Sequence, residues 1–217
     1  MQPLISIVIP VYNREDYLKI AIESVLRQNF SNFELIIWDD GSTDKSVEIA
    51  SQYAEKDKRI KLIAAKHQGF SNSLKSAFSI CSGKYIGWVD SDDIVAPTAL
   101  AETAKILDSN PDTGLVYTDY LLIDKDSKVL GKGSRCQIPY SKDRLLVDFM
   151  TFHFRLMRKE VFELAGGINE NMSQRERIEL IYSSQEAIAR ALQRRGLDEE
   201  YEIKVEIIGK YYLENKG

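Results

Sequence analysis

The chain has 217 residues, 44% of them hydrophobic, a formal net charge of −4 and a pI near 5.4. That suits one sizeable domain with an appendage. The acidic balance excludes the broad basic footprint of a nucleic-acid binder, and no apolar run is long enough to span a bilayer.

The start, "MQPLISIVIP", has no basic segment and no cleavage site, so it reads as a strand rather than a signal peptide. "LISIVIPVYN" is an apolar run stopped by a turn, the pattern of a buried parallel strand. "YLKIAIESVLRQ" follows with Leu18, Ala21, Ile22, Val25 and Leu26 on one helical face. "FELIIWDDGSTD" predicts a second strand, after which Ser42, Thr43 or Asp44 caps a helix carrying Val47, Ile49 and Ala50. "RIKLIAA" is a third strand, "SNSLKSAFSICSG" a helix closing on Gly83, and "KYIGWVD" a fourth strand. Pro97 then opens a helix with Leu100, Ala104 and Leu107.

This alternation implies a doubly wound, mostly parallel sheet flanked by helices. Right-handed crossovers place the strand C-terminal ends on one edge, where open α/β sheets bind ligands. Beyond residue 112 the pattern changes. "TGLVYTDYLLID" and "KVLGKG" read as a strand pair, and "MTFHFRLMRKEVFELAGG" is apolar and basic and closes on a double Gly. In that stretch His153, Arg155, Arg158 and Lys159 form a basic cluster: Arg155 or Arg158 for anion contact, or a solvent-facing helix start. "SQRERIELIYSSQEAIARALQRRG" predicts a helix, with Ser173 and Glu176 at capping-box spacing. "YEIKVEI" alternates like a strand, and its charge also suits a helix. The expected division is a domain over 1–170 and a helical tail over 171–217, packed on the domain or on a partner chain. Cys81 and Cys136, the two cysteines, lack metal-ligand spacing and read as reduced cytosolic thiols.

The densest chemistry lies in "YIGWVDSDD", where a strand runs into Asp90, Asp92 and Asp93. On an extended backbone, alternation points Asp90 and Asp92 the same way. Two hard oxygen ligands suit Mg²⁺ or Mn²⁺ with positions left for phosphate. The competing reading is a solvated acidic turn with Asp93 capping the next helix.

"SIVIPVYNRE", "ELIIWDDGSTDKS" and "GKYIGWVDSDDIVAP", in this order, resemble the family 2 glycosyltransferases, inverting enzymes with the GT-A fold. The resemblance continues through "FRLMRKEVFELAGGINE". It implies transfer of a sugar from a nucleoside diphosphate donor, expected to be a UDP sugar, to an acceptor hydroxyl, assisted by a divalent Mn or Mg ion. By resemblance, Pro10, Val11 and Tyr12 lie against the base and Asp40 accepts the uracil N–H. Glu15 reaches the nucleoside or serves as a helix-start acid favoured by the dipole. Asp39 ties the turn around Gly41. Asp90 lies near ribose and metal, Ser91 sits between the acids, and Asp92 ligates the ion directly. Lys75 stands where the family often has Asn, and Asp119 is an acceptor-side candidate.

One family feature is absent. A Glu-Asp pair, whose Asp is the catalytic base, usually follows the "GGINE"-like segment, and here "NMSQRERIELI" follows instead. Glu170 and Glu176 are the nearest acids, and neither is assigned as base. Two functions are therefore expected from the same donor motifs: a metal-assisted transferase, or a nucleotide-sugar-binding module with weak transfer. The expected acceptor is a saccharide or lipid-linked saccharide, in the cytoplasm or at the inner membrane face. The basic-ended tail helix offers a membrane surface or a second copy of the chain as further contacts.

Overall fold

The computed structural model describes residues 2–124, 126–138, 153–164, 166–168, 202–205 and 210–213. The four apolar runs form β1 (Ile5–Val11), β2 (Phe33–Asp39), β3 (Ile60–Ala64) and β4 (Tyr85–Trp88), all parallel. Between them lie α1 (Leu18–Leu26), α2 (Ser46–Ala54) and α3 (Phe70–Ser79); α4 (Ala99–Ser109) follows the short strand β5 (Asp93–Val95). The pleat sorts the core. Ile5, Ile7, Ile9 and Val11 pack with Leu18, Ile22 and Val25 of α1, Ala50 of α2 and Leu100 and Leu107 of α4. Val8 and Ile36 face the other way, onto Leu74, Ala77 and Phe78 of α3. Helices thus cover both faces, and the fold is α/β.

The later elements are β6 (Thr113–Thr118), β7 (Leu121–Ile123), β8 (Val129–Lys132), β9 (His153–Arg158), α5 (Lys159–Leu164), β10 (Glu202–Val205) and β11 (Lys210–Leu213). The main sheet runs β10-β6-β9-β4-β1-β2-β3, and a smaller sheet runs β5-β11-β7-β8. β7 and β8 form the expected antiparallel pair. In the main sheet β9 is antiparallel to both neighbours, β4 and β6. The "HFRLMR" stretch is therefore a central strand, not a solvent-facing helix start. Its backbone lies so close to β4 that a Cβ on Gly87 would stand 2.3 Å from the Arg155 carbonyl oxygen. β10 joins the outer edge parallel to β6, and β11 pairs with β5 and β7. The tail after residue 171 is consequently not helical throughout: 202–205 and 210–213 are strands, completing sheets that lacked an edge or a middle member. The helix expected over 173–196, with Ser173 and Glu176, lies outside the described residues, as does Glu170.

At the edge of the sheet opposite the acidic strand ends, Glu34 is buried in β2. Its carboxylate accepts hydrogen bonds from Ser6 Oγ (2.6 Å), Ser82 N (2.7 Å) and Ser82 Oγ (2.7 Å), and from Lys61 Nζ (2.7 Å). Burial alone would push this carboxyl up; the bonds from Lys61, Ser6 and Ser82 outweigh it and hold it down at about 2. A depressed folded-state value contributes stability above the unfolded value of 4.5, lost as pH falls through about 2. Glu34→Gln should therefore cost about 3 kcal/mol near pH 6 and almost nothing near pH 2, by the linkage between shift and stability. Urea unfolding at both pH values checks this; a cost that does not shrink in acid rules out the charge as its source.

Candidate functional site

The C-terminal ends of β1, β2 and β4 meet at one edge, and the loops beyond them are laced together. Asn13 N donates to Ser42 Oγ (2.9 Å), Arg14 N to Ser46 Oγ (2.9 Å) and Glu15 N to Asp44 Oδ2 (3.0 Å). In return Thr43 N donates to Asn13 Oδ1 (2.8 Å) and Lys45 N to Glu15 Oε2 (2.9 Å). Asp44 Oδ1 accepts Ser46 N (2.9 Å), the first amide of α2, while the N-cap position itself falls to Lys45 rather than to Ser42, Thr43 or Asp44. Glu15 lies before α1 and outside its first turn, and the amide it holds is that of Lys45, the N-cap residue of α2.

Asp39 is buried and its Oδ1 accepts the Gly41 and Ser42 amides at 3.1 and 2.9 Å, tying the turn as expected. Gly41 has φ +78°, and a Cβ there would meet His67 N at 2.9 Å, so both conformation and space demand glycine. The close approach brings in His67, to which the motif reading gives no role. Asp40, only 4% exposed, accepts Gln68 N on Oδ1 (2.8 Å) and Gly69 N on Oδ2 (2.9 Å). His67 Nδ1 lies 2.8 Å from Asp40 Oδ2. The histidine ring in turn stacks on Tyr12, with centroids 4.4 Å apart and planes inclined by 28°. Tyr12 is 44% exposed, so this aromatic pair forms an open wall just past the end of β1, where Pro10 and Val11 are buried.

The acidic segment differs from its sequence expectation. Asp93 N donates to the Asp90 carbonyl (3.0 Å), so Asp90 to Asp93 form a turn rather than an extended run, and strict alternation does not set their directions. Asp93 is buried in β5 rather than capping α4, and Ser91 is buried beside it. Asp92 keeps a side chain 26% exposed. Its carboxyl is pushed above the usual range by burial first and then by the charges of Asp90 and Asp93; Arg14 opposes the rise. Arg14 Nε lies 3.5 Å from Asp92 Oδ2, a contact absent from the motif reading. Among the described residues no three His, Cys, Asp or Glu side chains gather as a closed metal cage. An open site for Mg²⁺ or Mn²⁺ needs only one or two carboxylates plus phosphate oxygens, and the crowded charge around Asp92 fits such a hard cation.

The basic cluster on β9 disperses. Arg155, 3% exposed, lays its guanidinium 4.6 Å over the Trp88 ring. Arg158 donates to the backbone carbonyls of Leu107, Asn110 and Thr113, which leaves it no diphosphate role. Lys159 Nζ donates to the Cys81 carbonyl (2.8 Å), and His153 lies in register with Thr118. Asp119 pairs with Lys132 of β8 (2.7 Å), and Lys75 lies on α3.

The profile of glycosyl transferase family 2 matches residues 6–165. A chondroitin synthase of Escherichia coli is 33% identical over 171 residues, which are 79% of this chain and 25% of that protein. A hyaluronan synthase of Pasteurella multocida is 29% identical over 170 residues, 78% of this chain and 17% of that protein. The chain thus spans a quarter or less of the length of these relatives. The structure of Staphylococcus aureus TarS 1-349 in complex with UDP-GlcNAc aligns with a TM-score of 0.73 at 19% identity, over 100% of this chain and 60% of that one. A Pyrobaculum calidifontis mannosyltransferase in complex with GDP-Man and Mn²⁺ aligns at 0.70 and 16% identity, over 100% of this chain and 59% of that one. These likenesses carry the GT-A fold.

Proposed function

This chain belongs to glycosyl transferase family 2, and from that membership we propose that its β1–β2–β4 edge binds a nucleoside diphosphate sugar, a UDP sugar, with a divalent cation, for inverting transfer to an acceptor hydroxyl. The observation that carries the reading is an aromatic wall and a carboxylate turn at one edge, with Arg14 between the backbone carbonyls of Tyr12 and Asn13 and the carboxylate of Asp92. The complexes of TarS with UDP-GlcNAc and of the mannosyltransferase with GDP-Man and Mn²⁺ support it for this fold.

Tyr12, exposed beside His67, offers a ring for base stacking, and Pro10 and Val11 set its position at the end of β1. Asp40 first organises the 67–69 loop; Oδ1, with one acceptor position taken by Gln68 N–H, keeps a second for the base N–H. Glu15 braces the wall through Lys45, so a nucleoside contact falls to its Oε1. Asp90 and Asp92 are the residues that would hold Mn²⁺ or Mg²⁺, and Ser91 spaces them. Bound there, the cation supplies charge stabilisation to the departing diphosphate. The relatives named chondroitin synthase and hyaluronan synthase support a saccharide acceptor. Among the described residues no helix is long and apolar enough to cross a membrane.

A second reading, donor binding with weak transfer, is favoured by one feature: no Glu-Asp pair follows Gly166 and Gly167 in the sequence. One experiment addresses both. At about a hundred times the dissociation constant, UDP with Mn²⁺ should add about 2.7 kcal/mol, or about 5–10 °C in melting temperature. An equal shift in EDTA removes the cation, and no shift removes the donor site. In the same samples, UDP release from UDP-GlcNAc with a saccharide acceptor should fall below about 1 per second, the low end of enzyme turnover. Faster transfer decides for the full transferase and for another base.

A further inference from the structure

We propose that Arg14 is a counter-ion that stands in for the divalent cation at Asp92 and hands over to it, moving from carboxylate to diphosphate as donor and metal arrive together. The inference rests on the function proposed above and assigns a role to a residue outside the acidic turn.

The geometry is specific. The backbone of Arg14 is pinned: its N–H donates to Ser46 Oγ (2.9 Å), and its carbonyl accepts Leu18 N (2.9 Å) at the start of α1. Its side chain is held more loosely. Nη1 donates to the carbonyls of Asn13 (3.0 Å) and Tyr12 (3.4 Å), while Nε faces Asp92 Oδ2 at 3.5 Å. The Arg14 side chain is 38% exposed and that of Asp92 26% exposed. A fixed Cα with a partly exposed side chain, held by two carbonyl contacts and one 3.5 Å ion pair, describes a group that can swing with little cost. The Asp92 contact is a long single one rather than a bidentate fork, so it neutralises charge without engaging the planar geometry for which guanidinium is suited. Phosphate oxygens supply that geometry.

Charge sets the order of events. With Asp90, Asp92 and Asp93 close together, one positive partner relieves the repulsion when no cation is present. A divalent ion at Asp92 would bring two more positive charges beside Arg14, and cation and guanidinium then compete. Diphosphate resolves the competition, because its negative oxygens take both. Metal alone should therefore bind poorly, donor alone should meet the repulsion of the acids, and each should improve the other. That mutual gain is a coupling free energy and must be reciprocal.

The test is Mn²⁺ titration, followed by the EPR signal of free Mn²⁺, on the full chain with and without UDP. Arg14→Gln should bind Mn²⁺ alone about three- to tenfold more tightly, since a competing charge near the surface is worth about that much. The factor by which UDP tightens Mn²⁺ should fall about tenfold in the same variant. Arg14→Lys keeps the charge but not the fork; Mn²⁺ affinity without UDP should stay within about twofold of wild type while the coupling falls. Unchanged or weaker Mn²⁺ binding by Arg14→Gln in the absence of UDP overturns the stand-in role, and so does undiminished coupling in both variants. If Arg14→Gln does not fold, loss of coupling in Arg14→Lys alone decides. Wild-type protein that binds no Mn²⁺ even with UDP would instead remove the donor site itself, and the role of Arg14 with it.

Discussion

Asp92→Ala should weaken Mn²⁺-dependent UDP binding about a hundredfold, about 2.7 kcal/mol by the usual conversion of affinity to free energy. Asp92 is the more exposed acid of the turn's second half, while Asp93 is buried in β5. It is thus the carboxylate a cation reaches first. The sign should reverse when metal is withdrawn. In EDTA the substitution removes one repelling carboxylate and releases Arg14 from its 3.5 Å contact, so UDP should bind the variant as well as wild type or better. Asp90→Ala should show the same pattern with a smaller loss, and exposed Asp112→Ala should show neither effect. Calorimetry with Mn²⁺ and with EDTA reads both arms. Affinity within about threefold of wild type for Asp92→Ala in Mn²⁺ would sink the metal reading, because removing even an outer partner of a metal ligand typically costs about tenfold or more.

Much of the edge that carries the candidate site is legible in the sequence, because parallel strands that end in acids and glycine announce their own ends. β1 to β4 and α1 to α4 follow from apolar runs alternating with one-sided helical stripes. Asp39 shows how far such reading goes: its tie to Gly41 and Ser42 is local, and local geometry is what sequence encodes. Contacts across the chain were less accessible. Glu15 reads locally as an acid at the start of the helix that follows it, yet it lies outside the first turn of α1 and the amide it holds belongs to Lys45, thirty residues later. His67 comes to Tyr12 only because β3 lies beside β2, and its one signal was a histidine just before Gln68 and Gly69. The acidic turn misled because alternation holds only while the backbone is extended, and β4 ends at Trp88. β9 was hidden for a further reason. An antiparallel strand inserted between β4 and β6 is specified by long-range pairing, and its arginines made "HFRLMR" resemble a helix start.

Arg158→Ala should be the most destabilising substitution of a charged residue on β9, at about 3–4 kcal/mol, and should leave donor binding intact. Arg158 is 5% exposed. Nε donates to the Thr113 carbonyl at 2.8 Å, and Nη2 donates to the Asn110 carbonyl at 3.1 Å and to that of Leu107. The latter two belong to the C-terminal turn of α4, whose last carbonyls have no partner within the helix and carry the negative end of its dipole. The guanidinium also packs against the Tyr85 ring, 5.6 Å from its centroid. Alanine removes a charged donor from all three carbonyls, of which Asn110 keeps the Thr113 N–H (3.0 Å), and opens a void beside Tyr85; hydrogen bonds to a charged group contribute about 1.5–3 kcal/mol each, partly shared here. Arg158→Lys should recover less than half, since one ammonium cannot span Thr113 and the α4 end together. Melting should fall by about 10 °C for a domain of this size. At low temperature, where the variant is still folded, UDP with Mn²⁺ should bind within about twofold of wild type. Near-normal melting with lost UDP binding would return Arg158 to the diphosphate; lowered melting with intact binding ties it to the junction of α4, β6 and β9, the contact that holds the antiparallel strand in the middle of the sheet.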